Sequence, residues 1–296
     1  MNYASSKPIN DIIEQVSVDI TEKKIEGTAI KLGFKSFDEF KEGFYPGELV
    51  VIGSRPSMDK LLLMGQLALT TSIDKPTLYF SYASSPDCVL KIMVAFKTQI
   101  PLHRIIKSEL TDDEKDRVAQ AISELKKHHL FFNEYYRTSV KSLINECEQQ
   151  IAENKVKVIV IDTIQLITSN EQDDNGNRQY TNRDLELTYI LQELKKFARK
   201  KEVVLFLVSE LKRSEEMREG DKQPNLSDLQ DNGVVEPKID KVLLLYRPEY
   251  YGVLMDESGS TNRLVKMILA KNNKGYLSTF RLEHNKSFTR LIDELE

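Results

Sequence analysis

Short apolar stretches alternate with amphipathic segments over most of this chain. Strands are predicted at 48–52, 76–81, 130–133, 157–162 and 203–209, and 157–162 is apolar almost throughout, as in strands covered on both faces. Helical periodicity predicts helices at 59–72, 87–98, 111–128, 139–154 and 185–201. Three more strands follow at 241–247, 264–270 and 278–283. The alternation predicts an α/β fold: a doubly wound, mostly parallel sheet with helices on both faces, finishing in antiparallel strands.

The first 30 residues stand apart from this alternation. After Pro8, apolar residues at positions 9, 12, 13, 16 and 20 fall on one face of a helix. A helix of about 13 residues is marginally stable alone and needs a surface that covers its apolar face. We therefore predict an arm with one helix over 1–30 and an α/β domain over 31–296. The pattern leaves open whether the arm docks on its own domain or on a neighbouring molecule.

Composition limits the cellular compartments and the binding partners that the sequence predicts. Forty-two Lys and Arg against 46 Asp and Glu give a net charge of −4, so no global basic field attracts nucleic acid or anionic lipid. The apolar stretches are too short to span a membrane, and the start lacks the apolar core of a secretory signal. Cys88 and Cys147 cannot build a disulfide framework, and we expect both to be buried free thiols. These features predict a soluble cytoplasmic protein with no membrane partner.

The loop after the first strand partly matches the phosphate-binding pattern G-x-x-x-x-G-K-[ST]. It lies between an apolar strand and a helix, as that motif requires, and comprises Ser54, Arg55, Pro56, Ser57, Met58, Asp59, Lys60 and Leu61. Asp59 replaces the second glycine, and its carboxylate would repel a phosphate charge about 4 Å away by roughly 4 kcal/mol at an effective dielectric of 20. Leu61 offers no oxygen to Mg²⁺. As a bare pattern this match is weak.

Further segments, in the same order along the chain, resemble the C-terminal ATPase domain of the DnaB-type bacterial replicative helicases. Ser54-Arg55-Pro56-Ser57-Met58 is close to that family's ARPSM-G-K-T, and Val160-Ile161-Asp162 with Ile164-Gln165-Leu166 is similar to its Walker B strand. Residues 226–229, 246–251 and 270–271 resemble later segments. The resemblance implies a RecA-like fold, ATP and Mg²⁺ as cofactors, and Asp162 as a possible Mg²⁺ ligand. The helix after Pro8 resembles the family's linker helix, which packs on the adjacent ring subunit; we expect no N-terminal collar domain.

The resemblance also identifies positions that depart from the family. Its catalytic glutamate is matched by Ala83 and its phosphate-sensing glutamine by Glu210. Its arginine finger is matched by Asn273, although Lys271 is retained. Such a finger contributes about 10³–10⁵ in rate in related nucleotide hydrolases. With Asp59 and Leu61, these departures leave no intact catalytic set and a degenerate Walker A loop, and they predict a pseudo-ATPase in which ATP and Mg²⁺ bind weakly or not at all.

In the family, loops facing the ring channel hold single-stranded DNA. The matching loop at 168–184 carries more acidic than basic residues, and acids balance bases over 212–222. The turn Gln230, Asp231, Asn232 and Gly233 resembles the family's phosphate-contacting turn without its arginine. Since grooves for single strands are positively charged, we expect solvated loops here rather than a DNA grip. We assign no metal to His128 and His129, which lack partners at ligand spacing.

Three functions remain open at this point. The leading one is a non-catalytic assembly or regulatory module in DNA replication, forming homo-oligomers or an assembly with a replicative helicase through residues 1–20. The second is an active ATP-dependent DNA helicase that unwinds 5′ to 3′ and uses a compensating residue such as Glu210 as a displaced base. The third is a scaffold that binds ATP as a sensor without cleaving it.

Overall fold

The computed structural model describes residues 9, 13, 29–40, 43–133, 138–169, 182–211, 222–230 and 238–294. Its helices are α1 (Lys35–Glu39), α2 (Lys60–Thr71), α3 (Pro86–Thr98), α4 (Leu102–Lys107), α5 (Asp112–Leu125), α6 (Val140–Asn154), α7 (Arg183–Lys201) and α8 (Leu226–Gln230). Within these residues, 3₁₀ helices lie at Ile164–Leu166 and Pro248–Tyr251. Ile9 and Ile13 are helical and exposed, and the rest of the predicted arm helix lies outside the described residues.

The strands are β1 (Leu49–Ser54), β2 (Thr77–Ser81), β3 (Leu130–Asn133), β4 (Thr138–Ser139), β5 (Val158–Asp162), β6 (Ile167–Thr168), β7 (Val204–Glu210), β8 (Lys241–Tyr246), β9 (Met255–Asp256), β10 (Gly259–Ser260), β11 (Leu264–Asn272), β12 (Ser278–His284) and β13 (Leu291–Asp293). In the described part of the chain they build a nine-stranded sheet of order β13-β12-β11-β8-β1-β7-β5-β2-β3. The strands from β8 to β3 are parallel, and β11, β12 and β13 extend the sheet antiparallel. The predicted fold class is confirmed.

Both faces of the parallel sheet are covered, which explains its continuous apolar strands. Because side chains alternate across a strand, Val50 and Ile52 face one core layer with α2 and α3. Leu49 and Val51 face the other layer, which contains apolar residues of α6 and α7. The carboxyl ends of the parallel strands therefore form one edge between two helical layers, where ligands bind in doubly wound folds.

Several local predictions need correction. The helix predicted from residue 59 begins at Lys60, because Asp59 has a left-handed backbone with φ 59°. Helix α4 and strand β13 were not predicted, since each is too short to carry a clear period. Cys147 is buried as expected, but Cys88 is only partly buried. Helix α5 begins with a capping box, in which Thr111 Oγ1 accepts from the Glu114 amide and the Glu114 carboxylate accepts from the Thr111 amide.

Two features are absent from the described residues. No helix there is long and apolar enough to cross a membrane. The same residues hold no group of three or more His, Cys, Asp or Glu side chains placed to bind a metal ion.

The β9–β10 hairpin is tied to the antiparallel strands through Asp256. Its carboxylate lies 2.8 Å from Lys266 Nζ in β11 and 2.9 Å from Arg281 Nη1 in β12. The hydrogen bond from Lys266, together with those from the Ser258 amide and Arg281, lowers the pKa of Asp256 to about 2 against the effect of burial. The ionised carboxylate is thus stabilised by folding.

We predict that Asp256→Asn lowers the free energy of unfolding by about 1–2 kcal/mol at pH 7. A carboxyl pKa depressed by folding contributes stability above its unfolded value near 3.9, and this contribution is lost as pH falls toward about 2. The difference from the wild type should therefore shrink below pH 4 in urea denaturation. Asp112→Asn, at an exposed surface pair, is the control and should change little. A difference independent of pH would contradict the assignment.

Candidate functional site

The phosphate-type loop connects β1 to α2 at the carboxyl edge of the sheet. Ser57 and Asp59 both adopt left-handed backbone conformations, with φ of 65° and 59°. Aspartate tolerates this region better than most residues, although glycine suits it best. The backbone at position 59 therefore keeps a conformation suited to glycine while the side chain is a carboxylate.

The Asp59 carboxylate is bound by two donors from the far side of the sheet. Its Oδ2 lies 2.9 Å from His284 Nε2, at the end of β12, and 3.2 Å from Arg247 Nη1, just after β8. Arg247 also bonds Glu249 at 2.7 Å. Burial alone would raise the pKa of Glu249, but the bonds from Arg247 and the Arg263 amide lower it overall. The charge of Asp59 is compensated within the chain.

Lys60 turns to the opposite side and is compensated as well. Its Nζ lies 2.7 Å from Glu210 Oε1 and 3.3 Å from Asp162 Oδ1. Asp162 is 1% exposed. Burial raises its pKa, Lys60 lowers it and Glu210 raises it again, and the net shift is upward. The lysine that would bind a phosphate is thus paired with two carboxylates, those of Glu210 and Asp162.

The Arg55 side chain fixes the phosphate-type loop to neighbouring elements. It is buried, donates to the Lys222 carbonyl at 2.6 Å and to Tyr251 Oη at 3.3 Å, and lies 3.5 Å from Asp228 Oδ2. These contacts join the loop to α8 and to the second 3₁₀ helix. Three of the segments on which the family resemblance rests therefore meet at one buried arginine.

The other predicted loop residues offer little to a ligand. Leu61 packs against the core, Met58 is buried, and the buried Ser54 hydroxyl has no hydrogen-bond partner in the described structure. Ala83 follows β2, and its amide donates to the Asp162 carbonyl at 3.0 Å. Ala83, which the family resemblance matches to a catalytic glutamate, therefore lies beside Asp162 and carries only a methyl group.

Residues that directly follow β5 form hydrogen bonds with the end of β7. Gln165 Nε2 donates to Ser209 Oγ at 3.2 Å, and Gln165 Oε1 accepts from the Glu210 amide at 3.3 Å. Thr163 Oγ1 donates to the Val208 carbonyl at 2.8 Å. The sequence signal for these contacts is the Ile164-Gln165-Leu166 segment, whose positioning role the sequence alone did not show.

Asn273 lies at the opposite edge of the sheet from the loop. Asn272 pairs with Lys241, the first residue of β8, whereas Ser54 pairs with Leu245 near its end. The Asn273 amide donates to the Asp240 carbonyl at 3.0 Å, and Lys271 lies nearby in β11. Asn273 could therefore meet such a loop only in another copy of the chain.

The predicted DNA turn lies largely beyond what the structure describes. Gln230 ends α8, and Asp231, Asn232 and Gly233 lie outside the described residues. Most of the loops at 168–184 and 212–232 lie outside them too. Arg183 is described, and it bonds Glu186 and the carbonyls of Gln165 and Ile167.

Comparison with known proteins identifies the family. The family model "DnaB-like helicase C terminal domain" matches residues 29–293. The chain belongs to this family. It is 26% identical to the replicative DNA helicase DnaC of Bacillus subtilis (strain 168), over 99% of this chain and 63% of that protein. It is 28% identical to the replicative DNA helicase DnaB of Helicobacter pylori (strain J99 / ATCC 700824), over 96% and 64%. The chain thus spans less than two thirds of these relatives.

Solved structures show the same fold. One solved structure, described as an ATPase domain, superposes with a TM-score of 0.84 at 24% identity, covering 98% of this chain and 100% of that chain. A DnaB-like replicative helicase studied with its primase interactions gives a TM-score of 0.81, also at 24% identity, covering 98% and 68%. The RecA-like architecture of this DnaB-like domain is therefore established.

The site of this DnaB-like domain does not fit Mg-ATP. The glycine position of the loop holds a carboxylate, and the position of the Mg²⁺ hydroxyl holds an apolar side chain. Lys60 is paired with Glu210 and Asp162 instead of being available to a phosphate. Asp162 is buried, and its Oδ1 faces Lys60 Nζ at 3.3 Å, so the carboxylate that would help hold Mg²⁺ is itself paired with the loop lysine.

Proposed function

We propose that this DnaB-like domain is a hydrolysis-deficient pseudo-ATPase that serves DNA replication as an assembly or regulatory module in the cytoplasm. The observation that carries the proposal is the internal compensation of the loop. Asp59 is bound by Arg247 and His284, and Lys60 is bound by Glu210 and Asp162. Phosphoryl transfer depends almost entirely on positioning and electrostatics. A site whose charged groups are paired with one another therefore cannot stabilise the transferred phosphoryl group well.

The missing groups support the same proposal. Ala83 cannot activate water, and Asn273 cannot supply the charge of an arginine finger. The test is phosphate release with Mg-ATP, which should be absent. Turnover that Lys60→Ala abolishes would contradict the proposal.

Assembly through residues 1–20 is the second part of the proposal. Ile9 and Ile13 are helical and expose 69% and 54% of their surface. Spaced four apart, they share one helix face, and an uncovered apolar face favours docking on another molecule. Either a second copy of this chain or a replicative helicase would supply the surface. Single-stranded DNA is not part of the proposal, since the turn at 230–233 lacks the family's arginine.

We predict that deleting residues 1–20 lowers the mass of the oligomer in light scattering. Ile9→Asp with Ile13→Asp should have the same effect, because charge opposes burial of that face. Ile73→Asp is the matched control: Ile73 is 58% exposed outside the arm and should leave the mass unchanged. An unchanged mass after the deletion would refute docking between copies and leave the heterologous helicase as the partner to test by co-sedimentation.

Buried Asp162 favours one second candidate, a scaffold that binds nucleotide without cleaving it. Its Oδ2 has no hydrogen-bond partner in the described structure, and a carboxylate oxygen is a ligand for a Mg²⁺ ion carried by a nucleotide. Calorimetry with Mg-ATP separates this candidate from the inert one, since it requires measurable binding with no phosphate release. A strand-unwinding assay separates both from an active helicase.

A further inference from the structure

Two donors from separate strands converge on one oxygen atom of the phosphate-type loop. Arg247 Nη1 and His284 Nε2 lie 3.2 Å and 2.9 Å from the same Asp59 Oδ2. His284 is buried and Arg247 is mostly buried. Asp59 therefore stands between the start of α2 and a pair of groups that both bind anions.

This pair depends on an acceptor. Arg247 Nε and His284 Nδ1 are buried, and neither has a hydrogen-bond partner in the described structure. Asp59 Oδ2 is the acceptor for Arg247 Nη1 and His284 Nε2, and without it two more polar atoms of this pair would lack a partner. Glu249 binds the other guanidinium nitrogen at 2.7 Å and competes for part of its charge. The Arg263 amide donates to the other oxygen of Glu249 at 2.8 Å, so Glu249 is shared between two donors.

We propose that Arg247 and His284 form an anion site for a phosphoryl group, and that the Asp59 carboxylate fills it as an internal ligand. Guanidinium and imidazole groups bind phosphate oxygens as they bind carboxylates. Asp59 belongs to the loop itself, so its effective concentration at the pair far exceeds that of a dissolved anion. The inference rests on the proposed function and deepens it: the loop is closed by a built-in substitute for the phosphate.

Removing the internal ligand should open the site. Asp59→Gly suits the left-handed φ of 59° and leaves the two donors without an acceptor. Isothermal titration of this variant with inorganic pyrophosphate, in metal-free buffer, should give a dissociation constant at least about tenfold below that of the wild type. Asp59→Asn keeps a side chain that tolerates this backbone and removes only the charge, so it should show a smaller gain. If circular dichroism shows that the Asp59→Gly variant is unfolded, the pyrophosphate affinity of Asp59→Asn tests the inference instead.

Further substitutions in the Asp59→Gly background show which residues cause the gain in pyrophosphate affinity. Arg247→Gln and His284→Gln should each reduce it, and together they should abolish it. Lys91→Gln removes an exposed lysine paired with Asp87 and is the matched control that should keep the gain. No gain in either Asp59 variant, or a gain that survives loss of both donors, overturns the inference. Wild-type phosphate release tests the proposed function separately, so the two failures are distinguishable.

Discussion

Phosphate release from this chain with Mg-ATP should stay at the buffer background, with or without single-stranded DNA, and Lys60→Ala should change nothing. The loss of a finger at Asn273 alone is expected to cost about 10³–10⁵ in rate. The Ala83 position lacks a group to orient water, and Lys60 is held by Glu210. The replicative DNA helicase DnaB of Helicobacter pylori, assayed in parallel, is the positive control. Turnover in the wild type that disappears in Lys60→Ala would contradict the prediction.

Restoring the family residues should reverse this result. A variant combining Asp59→Gly, Leu61→Thr, Ala83→Glu, Glu210→Gln and Asn273→Arg should gain phosphate release that depends on Lys60. Because these groups act as one unit, each single substitution is expected to restore almost nothing. If the combined variant is folded by circular dichroism and Asp59→Gly alone restores full turnover, the other four positions are not the reason for inactivity.

Lys241→Met should lower the free energy of unfolding by about 3–5 kcal/mol, measured by urea denaturation. Lys241 is 1% exposed, and its Nζ lies 2.8 Å from Glu48 Oε2 and 3.2 Å from the Gly43 carbonyl. It also lies over the Tyr45 ring, 5.2 Å from the centroid. Removing it leaves the buried Glu48 carboxylate with Lys274, 3.0 Å away, as its remaining ion-pair partner in the described structure. The buried charge then keeps only the more exposed of its two ion-pair partners, which accounts for the large loss.

Two variants test that explanation. Adding Glu48→Gln to Lys241→Met should recover part of the stability, because the amide carries no charge to leave unpaired. Lys35→Met is the matched control: Lys35 pairs with Glu39 at 3.9 Å on the exposed surface, and its loss should cost less than about 1 kcal/mol. Equal losses for Lys35→Met and Lys241→Met would show that burial of the pair does not matter.

The sheet could be predicted from the sequence because its strands are covered on both faces. A short, continuous apolar stretch such as β5 is typical of a strand buried on both faces. The helices between such strands carry a clear 3.6-residue period. The short elements α4, β9, β10 and β13 were missed, since a few residues cannot show a period. The position of the loop was also readable, because an apolar strand, the Lys60 segment and a helix follow one another directly.

The residue types at the site could be identified from the sequence, but the residues that they contact could not. A single sequence shows that Asp59 and Leu61 replace a glycine and a hydroxyl. It does not show that Asp59 meets His284, 225 residues away, or that Lys60 meets Glu210. Those contacts depend on strand order and register, which bring the ends of β8 and β12 to one side of the loop and the ends of β5 and β7 to the other. Local periodicity reports which face of an element is buried, whereas the pairing of charges arises only when distant strands lie side by side.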